Sequence, residues 1–250
     1  MRAVMIAFSM YSKIPMPQFL WEERDRKRAM CFFPLIGAVI GALFFGAACL
    51  MERLQTGDLL RGAVFLFLPL AVTGGIHMDG FLDTCDARAS FGDREKKLRI
   101  LKDSHVGAFA VISCGLYMIL YAAAASEFDK RGAFTAAFGF VLSRALSGLA
   151  ASVFPEARKQ GMLADFMRDS NRRLIAGVSV LYAVLAAACM VWAWPAGGAA
   201  AVLAAAAVFF YYRAVALREF GGVTGDLAGY FLTVCEAVIV LALAFCGAAV

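Results

Sequence analysis

Residues 107–126 read GAFAVISCGLYMILYAAAAS, twenty positions without Asp, Glu, Lys, Arg or His. An α-helix rises about 1.5 Å per residue, so a run of roughly 20 apolar residues covers the hydrocarbon core of a bilayer. Comparable runs lie at about 31–51, 59–77, 133–154, 174–194, 196–212 and 227–249, which predicts seven spans. The sixth is short and follows the fifth through a tight turn, Trp194-Pro195-Ala196-Gly197-Gly198. Composition agrees: 62% of the 250 residues are hydrophobic and 17% charged, with a mean hydropathy of +0.74. Soluble domains carry about 25% charged residues. The chain therefore reads as all-α, a polytopic transmembrane helical bundle in which residues 1–250 form a single integral membrane domain. No internal repeat, linker or low-complexity tract divides it.

Positive charge predicts the orientation. Of the 24 Lys and Arg residues, 19 fall in segments 1–30, 78–106, 155–173 and 213–226, which alternate with the spans on one face. The opposite face receives four, and Arg144 lies inside the fourth run. The positive-inside rule then places the N-terminus and the long loops in the cytoplasm and the C-terminus outside. Residues 1–20 lack the pattern of a cleavable signal peptide and suit an interfacial amphipathic segment broken by Pro15 and Pro17. The basic stretch Arg24–Arg28 would lie against anionic headgroups. Topology accounts for the net charge of +5, leaving no case for nucleic-acid binding.

Between the second and third runs lies the most polar block, residues 73–107, TGGIHMDGFLDTCDARASFGDREKKLRILKDSHVG. Asp79, Asp83 and Asp86 are spaced by four and three, which puts them on one face of a helix. Carboxylates so placed repel one another unless a cation or a positive substrate offsets them. With Gly80 alongside, the cluster points to Mg2+ and a phosphate at the membrane surface. Farther on, Lys102, Asp103 and Ser104 precede the third span: a cation and a hydroxyl for phosphate oxygens, and a further carboxylate. The only histidines, His77 and His105, flank the same block.

Two more loops share that face. The segment Phe154–Gly161 contributes Arg158, and Arg218–Asp226 contributes Gly221, Gly222, Thr224 and Asp226. Glycines at such positions let the backbone approach a ligand, and exposed amides beside Thr224 suit phosphate oxygens. Within the spans, Arg144 and Glu236 carry charges that the bilayer makes costly. They either pair with each other or Arg144 reaches an anionic substrate. The seven cysteines are scattered, without a Cys-x-x-Cys pair, and read as packing residues.

The phrases TGGIHMDGFLDTCD (73–86), LKDSHVG (101–107) and GGVTGDLAGYFLTVCE (221–236), in this order and spacing, resemble cobalamin synthase, the adenosylcobinamide-GDP ribazoletransferase family. Ser12–Pro17, Phe33–Gly37, Ser143-Arg144 and Ala157–Gly161 extend the resemblance over nearly the whole chain. It departs at Ala87-Arg88, at Met162-Leu163 and at Leu227–Tyr230. The resemblance implies a Mg2+-dependent enzyme of the cell inner membrane, with its active site on the cytoplasmic face. The implied partners are adenosylcobinamide-GDP and α-ribazole or its 5′-phosphate; GMP leaves, and adenosylcobalamin or its 5′-phosphate forms. On this reading Asp79, Asp83 and Asp86 hold the metal, and one of them or Asp103 takes a hydroxyl proton. The substrate-binding set is His77, Lys102, Ser104, Arg144, Arg158, Gly221, Gly222, Thr224, Asp226 and Glu236. The sequence leaves open the oligomeric state (a homo-oligomer is compatible) and whether free or phosphorylated ribazole is used.

Two other families share part of this pattern. A CDP-alcohol phosphotransferase also clusters Asp residues at a membrane face, but Asp79-Gly80 is followed by Phe81-Leu82-Asp83-Thr84 rather than that family's Ala-Arg pattern. A transporter would use Arg144 and Glu236 along a midplane path, whereas the motifs here crowd one face.

Overall fold

The apolar runs, and parts of the polar loops between them, fold as helices in the computed structural model, which describes residues 2–17, 20, 22–158, 161–168 and 170–248. Lys159 and Gln160, part of one motif noted above, lie outside the described residues. In chain order the helices are α1 (Arg2–Tyr11), α2 (Glu23–Ala29), α3 (Phe33–Arg53), α4 (Asp58–Thr73), α5 (Ile76–Ala89), α6 (Arg94–Ile100), α7 (Ala108–Ser126), α8 (Lys130–Val153), α9 (Met162–Met167), α10 (Arg172–Ala193), α11 (Pro195–Val215) and α12 (Gly225–Ala248). A 3₁₀ turn, Met30–Phe32, leads into α3, and a π turn, Ala216–Phe220, prolongs α11.

Among the described residues, six stretches are long and apolar enough to cross a membrane: Lys27–Arg53, Ala108–Ser126, Lys130–Val153, Arg172–Ala193, Pro195–Phe220 and Gly225–Gly247. The sixth run, expected to be short, is among the longest because the π turn extends it to Phe220. The second run is where the structure departs most from a simple span. Helix α4 stops at Thr73; Gly74 and Gly75 follow, both with positive φ (66° and 79°), and α5 leaves at 97° to α4. Counting this bent pair once brings the crossings to seven. The sharp turn depends on glycine, since left-handed φ at two successive positions is costly for any other residue. Helix α5 packs against α7 and α12, with Asp86 at the first amides of α7 and Gly80 at the Asp226 backbone of α12.

Small residues let the spans approach closely. A Cβ added at Gly37 or Gly41 of α3 would run into the backbone of Phe140 or Ala137 on α8. Such contact replaces the hydrophobic drive that lipid does not provide between helices. Large side chains point outward instead: Leu116 and Ile119 of α7, Leu181 and Leu185 of α10, Leu203 of α11 and Phe245 of α12 are all exposed. In water such a surface would aggregate, while against acyl chains it costs nothing.

At the centre, Arg144 of α8 is fully buried, and its Nη1 donates to Glu236 Oε1 of α12 at 2.7 Å and to the Phe140 carbonyl at 3.0 Å. Ser143 Oγ donates to the same Glu236 oxygen at 3.0 Å. Of the two roles open from sequence, the structure has the pair. Each charge neutralises the other where neither has access to bulk water.

Candidate active site

Helix α5 is built to present carboxylates. Met78, Phe81, Thr84 and Ala87 are buried, while Asp79 is exposed and Asp83 and Asp86 are half-buried on the remaining surface. Gly80 interrupts the buried face: a Cβ there would sit 2.6 Å from the Asp226 carbonyl oxygen and 2.9 Å from its Cα. The glycine therefore admits the first turn of α12, which sets Asp226 beside Asp79 and Asp83. Thr233 Oγ1 of α12 also donates to the His77 carbonyl at 3.2 Å, fixing the start of α5. The close approach that Gly80 permits is that of the Asp226 backbone.

The three aspartates of α5 do not share one task. Asp86 accepts from the Gly107 amide at 2.6 Å and from the Ala110 amide at 2.9 Å, satisfying two unpaired donors at the start of α7. Asp79 and Asp83 are left facing Asp226. Burial, reinforced by the negative charges of Asp79, Asp226 and Asp86, pushes the Asp83 carboxyl up to about 6.

Two loops deliver the remaining groups. The Ala157 amide donates to the Val223 carbonyl at 3.0 Å, and the Val223 amide donates to the Pro155 carbonyl at 2.8 Å. This short parallel bridge needs Gly222, whose φ is 155° and whose Cβ would meet the Ala157 nitrogen at 2.5 Å. The Gly221 and Gly222 amides both turn back to the Ala216 carbonyl. The expectation of free amides there is corrected: these glycines pack two loops together, and their donors are already used. The open backbone lies one step on. Thr224 Oγ1 accepts from the Leu227 amide at 3.1 Å and caps α12, whose first residues, Gly225 and Asp226, line a cavity.

That cavity, about 430 Å³, is lined by Lys102, Arg158, Thr224, Gly225 and Asp226 among others. Burial lowers the pKa of the Arg158 guanidinium while the Asp226 carboxylate opposes that shift. Its Nη2 is buried without a hydrogen-bond partner among the described residues. A buried, unpaired guanidinium nitrogen beside a helix N-terminus suits a phosphate oxygen. A second cavity, about 150 Å³, adjoins the first and shares Leu163, Gly225 and Asp226 with it. It takes in His77 and Asp79 at one side and is otherwise mostly hydrocarbon, including Tyr11, Phe33, Ile76 and Leu232.

Other predicted residues lie apart. Asp103 is exposed and engaged with His105, whose Nδ1 is 2.7 Å away and whose amide donates at 3.0 Å. These bonds hold the Asp103 carboxyl below the usual range. Ser104 is exposed beside it. Arg144 and Glu236 line a separate cavity of about 20 Å³ with His77 and Thr233.

A network beside the carboxylates escaped the sequence reading. Arg88 Nη1 donates to Tyr211 Oη at 2.6 Å and to Tyr230 Oη at 2.9 Å, and its Nε donates to Glu219 at 3.1 Å. Lys97 Nζ donates to the other Glu219 oxygen at 2.7 Å, so α5, α6 and the π turn are tied together. Its one sequence signal is Arg88 itself, two positions after Asp86, where the resemblance breaks.

The donor set suits a hard divalent cation, since carboxylate oxygens of Asp79 and Asp83 stand one helical turn apart opposite Asp226. Among the described residues no three groups close round a single point. Mg2+ characteristically uses one or two protein carboxylates and completes its shell with water and substrate phosphate. The residues fit an open site of that kind.

A family model described as cobalamin-5-phosphate synthase matches residues 3–244. The chain is 42% identical over 236 residues to a protein of Lachnoclostridium phytofermentans named adenosylcobinamide-GDP ribazoletransferase, covering 94% of this chain and 90% of that one. Proteins of the same name from Clostridium botulinum (36% identity, 95% and 94% covered) and Pseudomonas savastanoi (34%, 87% and 88%) are also similar. No solved structure matches the chain.

Proposed function

The chain belongs to the cobalamin-5-phosphate synthase family, and we propose that it transfers the cobinamide-phosphate group of adenosylcobinamide-GDP to the ribose 3′-hydroxyl of α-ribazole or its 5′-phosphate. A bond forms between the ribose oxygen and the phosphorus that carries cobinamide. The bond from that phosphorus to the bridging oxygen breaks, GMP leaves, and the hydroxyl proton passes to a carboxylate. The observation that carries this reading is the junction of two unlike cavities at Asp226.

In the larger cavity Arg158 and Lys102, with the positive end of α12, bind and orient the pyrophosphate and balance its charge. Asp226 lines both cavities and is placed to accept the proton of a hydroxyl arriving from the smaller one. Asp79 and Asp83 would hold Mg2+, which when bound neutralises charge on phosphate oxygens. Asp86 acts at one remove, by fixing α5 against α7.

The loops at the site follow α4, α8 and α11, and α7 and α12 lead away from it, so a helical chain that alternates direction gathers them at one end. The excess of Lys and Arg on that face supports placing it in the cytoplasm, in the cell inner membrane. The experiment is direct: purified protein in liposomes, given adenosylcobinamide-GDP, α-ribazole 5′-phosphate or α-ribazole, and Mg2+. Release of GMP with formation of the joined corrinoid is expected; neither product from folded protein would sink the proposal.

A further inference from the structure

We propose that the 150 Å³ cavity is the subsite for the aromatic base of the acceptor nucleoside, and that its wall decides which bases the enzyme joins. This rests on the transfer reading above and assigns its acceptor end. The two substrates bring three ring systems to the site: the corrin, the guanine of the donor, and the methylated benzimidazole of α-ribazole. A corrin with its side chains is far too large for this volume. Guanine carries N–H and carbonyl groups along its edge; the wall has polar side chains at Tyr11, His77, Asp79, Ser147 and Asp226, but Phe33, Ile76, Ala151, Leu163 and Leu232 would strip the rest of that edge of water and leave it unbonded. The carbon ring of benzimidazole has no such groups. Cavities of about this size lined by Leu, Ile and Phe take up benzene.

The position agrees with the chemistry. With the carbon ring inside, the imidazole and its ribose emerge beside Asp79 and Asp226, where the phosphate-binding cavity begins. One wall is Tyr11 at the end of α1, a helix expected from sequence to lie at the membrane surface. The segment after it is tied to the bundle: the Lys13 amide donates to the Val72 carbonyl at 2.8 Å. Helix α1 thereby becomes part of the acceptor site. Ala151 of α8 is the small residue through which size is set.

The test compares wild type with Ala151→Leu in liposomes. Binding of α-ribazole is followed by its benzimidazole fluorescence, and turnover is measured with α-ribazole, the riboside of unsubstituted benzimidazole, and adenosine. Ala151→Leu is expected to weaken α-ribazole by about tenfold or more in Kd and KM, with a smaller loss for the unsubstituted ring. The KM for adenosylcobinamide-GDP should stay within about twofold, because that substrate does not enter the cavity. A shift in donor KM with acceptor binding unchanged would overturn the inference, even while the reaction itself stands. Should Ala151→Leu fail to fold, the wild type still decides: preference for α-ribazole over adenosine supports the subsite, and equal binding overturns it. Wild type that binds α-ribazole selectively but releases no GMP would keep the subsite and reject the transfer reading. Wild type that binds neither α-ribazole nor its 5′-phosphate would overturn the inference.

Discussion

Gly80 and Asp226 are in main-chain contact: no side chain fits at Gly80, because its Cβ would lie 2.6 Å from the Asp226 carbonyl oxygen. Two polar segments nearly 150 residues apart in sequence thus become one site. Gly80→Ala is expected to push the start of α12 from α5 and to separate Asp226 from Asp79 and Asp83. A misplacement on the order of 1 Å costs roughly a hundredfold in rate. Turnover measured beside membrane insertion and thermal stability checks this; unchanged kcat would show that the spacing is not what catalysis needs.

Asp83 and Asp86 sit three residues apart, yet their substitutions should fail differently. Asp86→Ala removes the acceptor for the Gly107 and Ala110 amides and is expected to cost stability by about 1 kcal/mol or more, the usual value of a helix cap. Asp83→Asn removes a negative charge from a crowded cluster, so stability should hold or rise while turnover is lost. Melting temperatures in detergent, set beside GMP release, separate the two. Equal behaviour of both variants in both assays would remove the division of labour.

The class of fold was legible because bilayer thickness imposes a length that composition displays directly: six of the seven predicted runs overlap a spanning helix, and the second overlaps the bent pair α4–α5. The break at Gly74-Gly75 was less so, since two adjacent glycines fit a loop as readily as a 97° bend. At the site, residue type and spacing gave the carboxylate face of α5, Arg158 and Asp226. What they did not give was partnership. That Asp86 caps α7, that Gly221 and Gly222 spend their amides on Ala216, and that Arg88 binds Tyr211, Tyr230 and Glu219 all depend on contacts between distant segments. The apolar acceptor cavity was invisible for the same reason: Tyr11, Phe33 and Leu163 look like ordinary packing residues until three helices meet.

The Asp83 carboxyl, pushed up to about 6, gives the protein a pH dependence of definite sign. A carboxyl whose folded pKa exceeds its unfolded value of about 4 favours the folded state while protonated. Its contribution is therefore fully present below about 4 and is lost as pH rises through about 6. Without divalent cation the protein should melt at a lower temperature at pH 7.5 than at pH 5.5. Mg2+ should raise the melting temperature more at pH 7.5, because at pH 5.5 it competes with the proton. In Asp83→Asn both differences should shrink. A Mg2+ effect of equal size at the two pH values, in wild type and variant alike, would exclude Asp83 as a ligand.

Arg144 and Glu236 make the sharpest test of structure against direct substrate contact. Removing one partner leaves a lone charge buried among α8 and α12, which typically costs about 3–5 kcal/mol. Arg144→Met and Glu236→Leu should therefore each lower the yield of folded protein and its melting temperature. Replacing both with apolar residues of similar size is often neutral in other buried pairs. The double variant is expected to regain stability well beyond the sum of the singles, a coupling that a thermodynamic cycle of melting free energies measures. If it also regains turnover, the pair serves the fold alone. If folding returns without turnover, then the polar groups around His77 also hold the start of α5 in its working position. Additive losses in the cycle would mean that the 2.7 Å contact contributes nothing to stability.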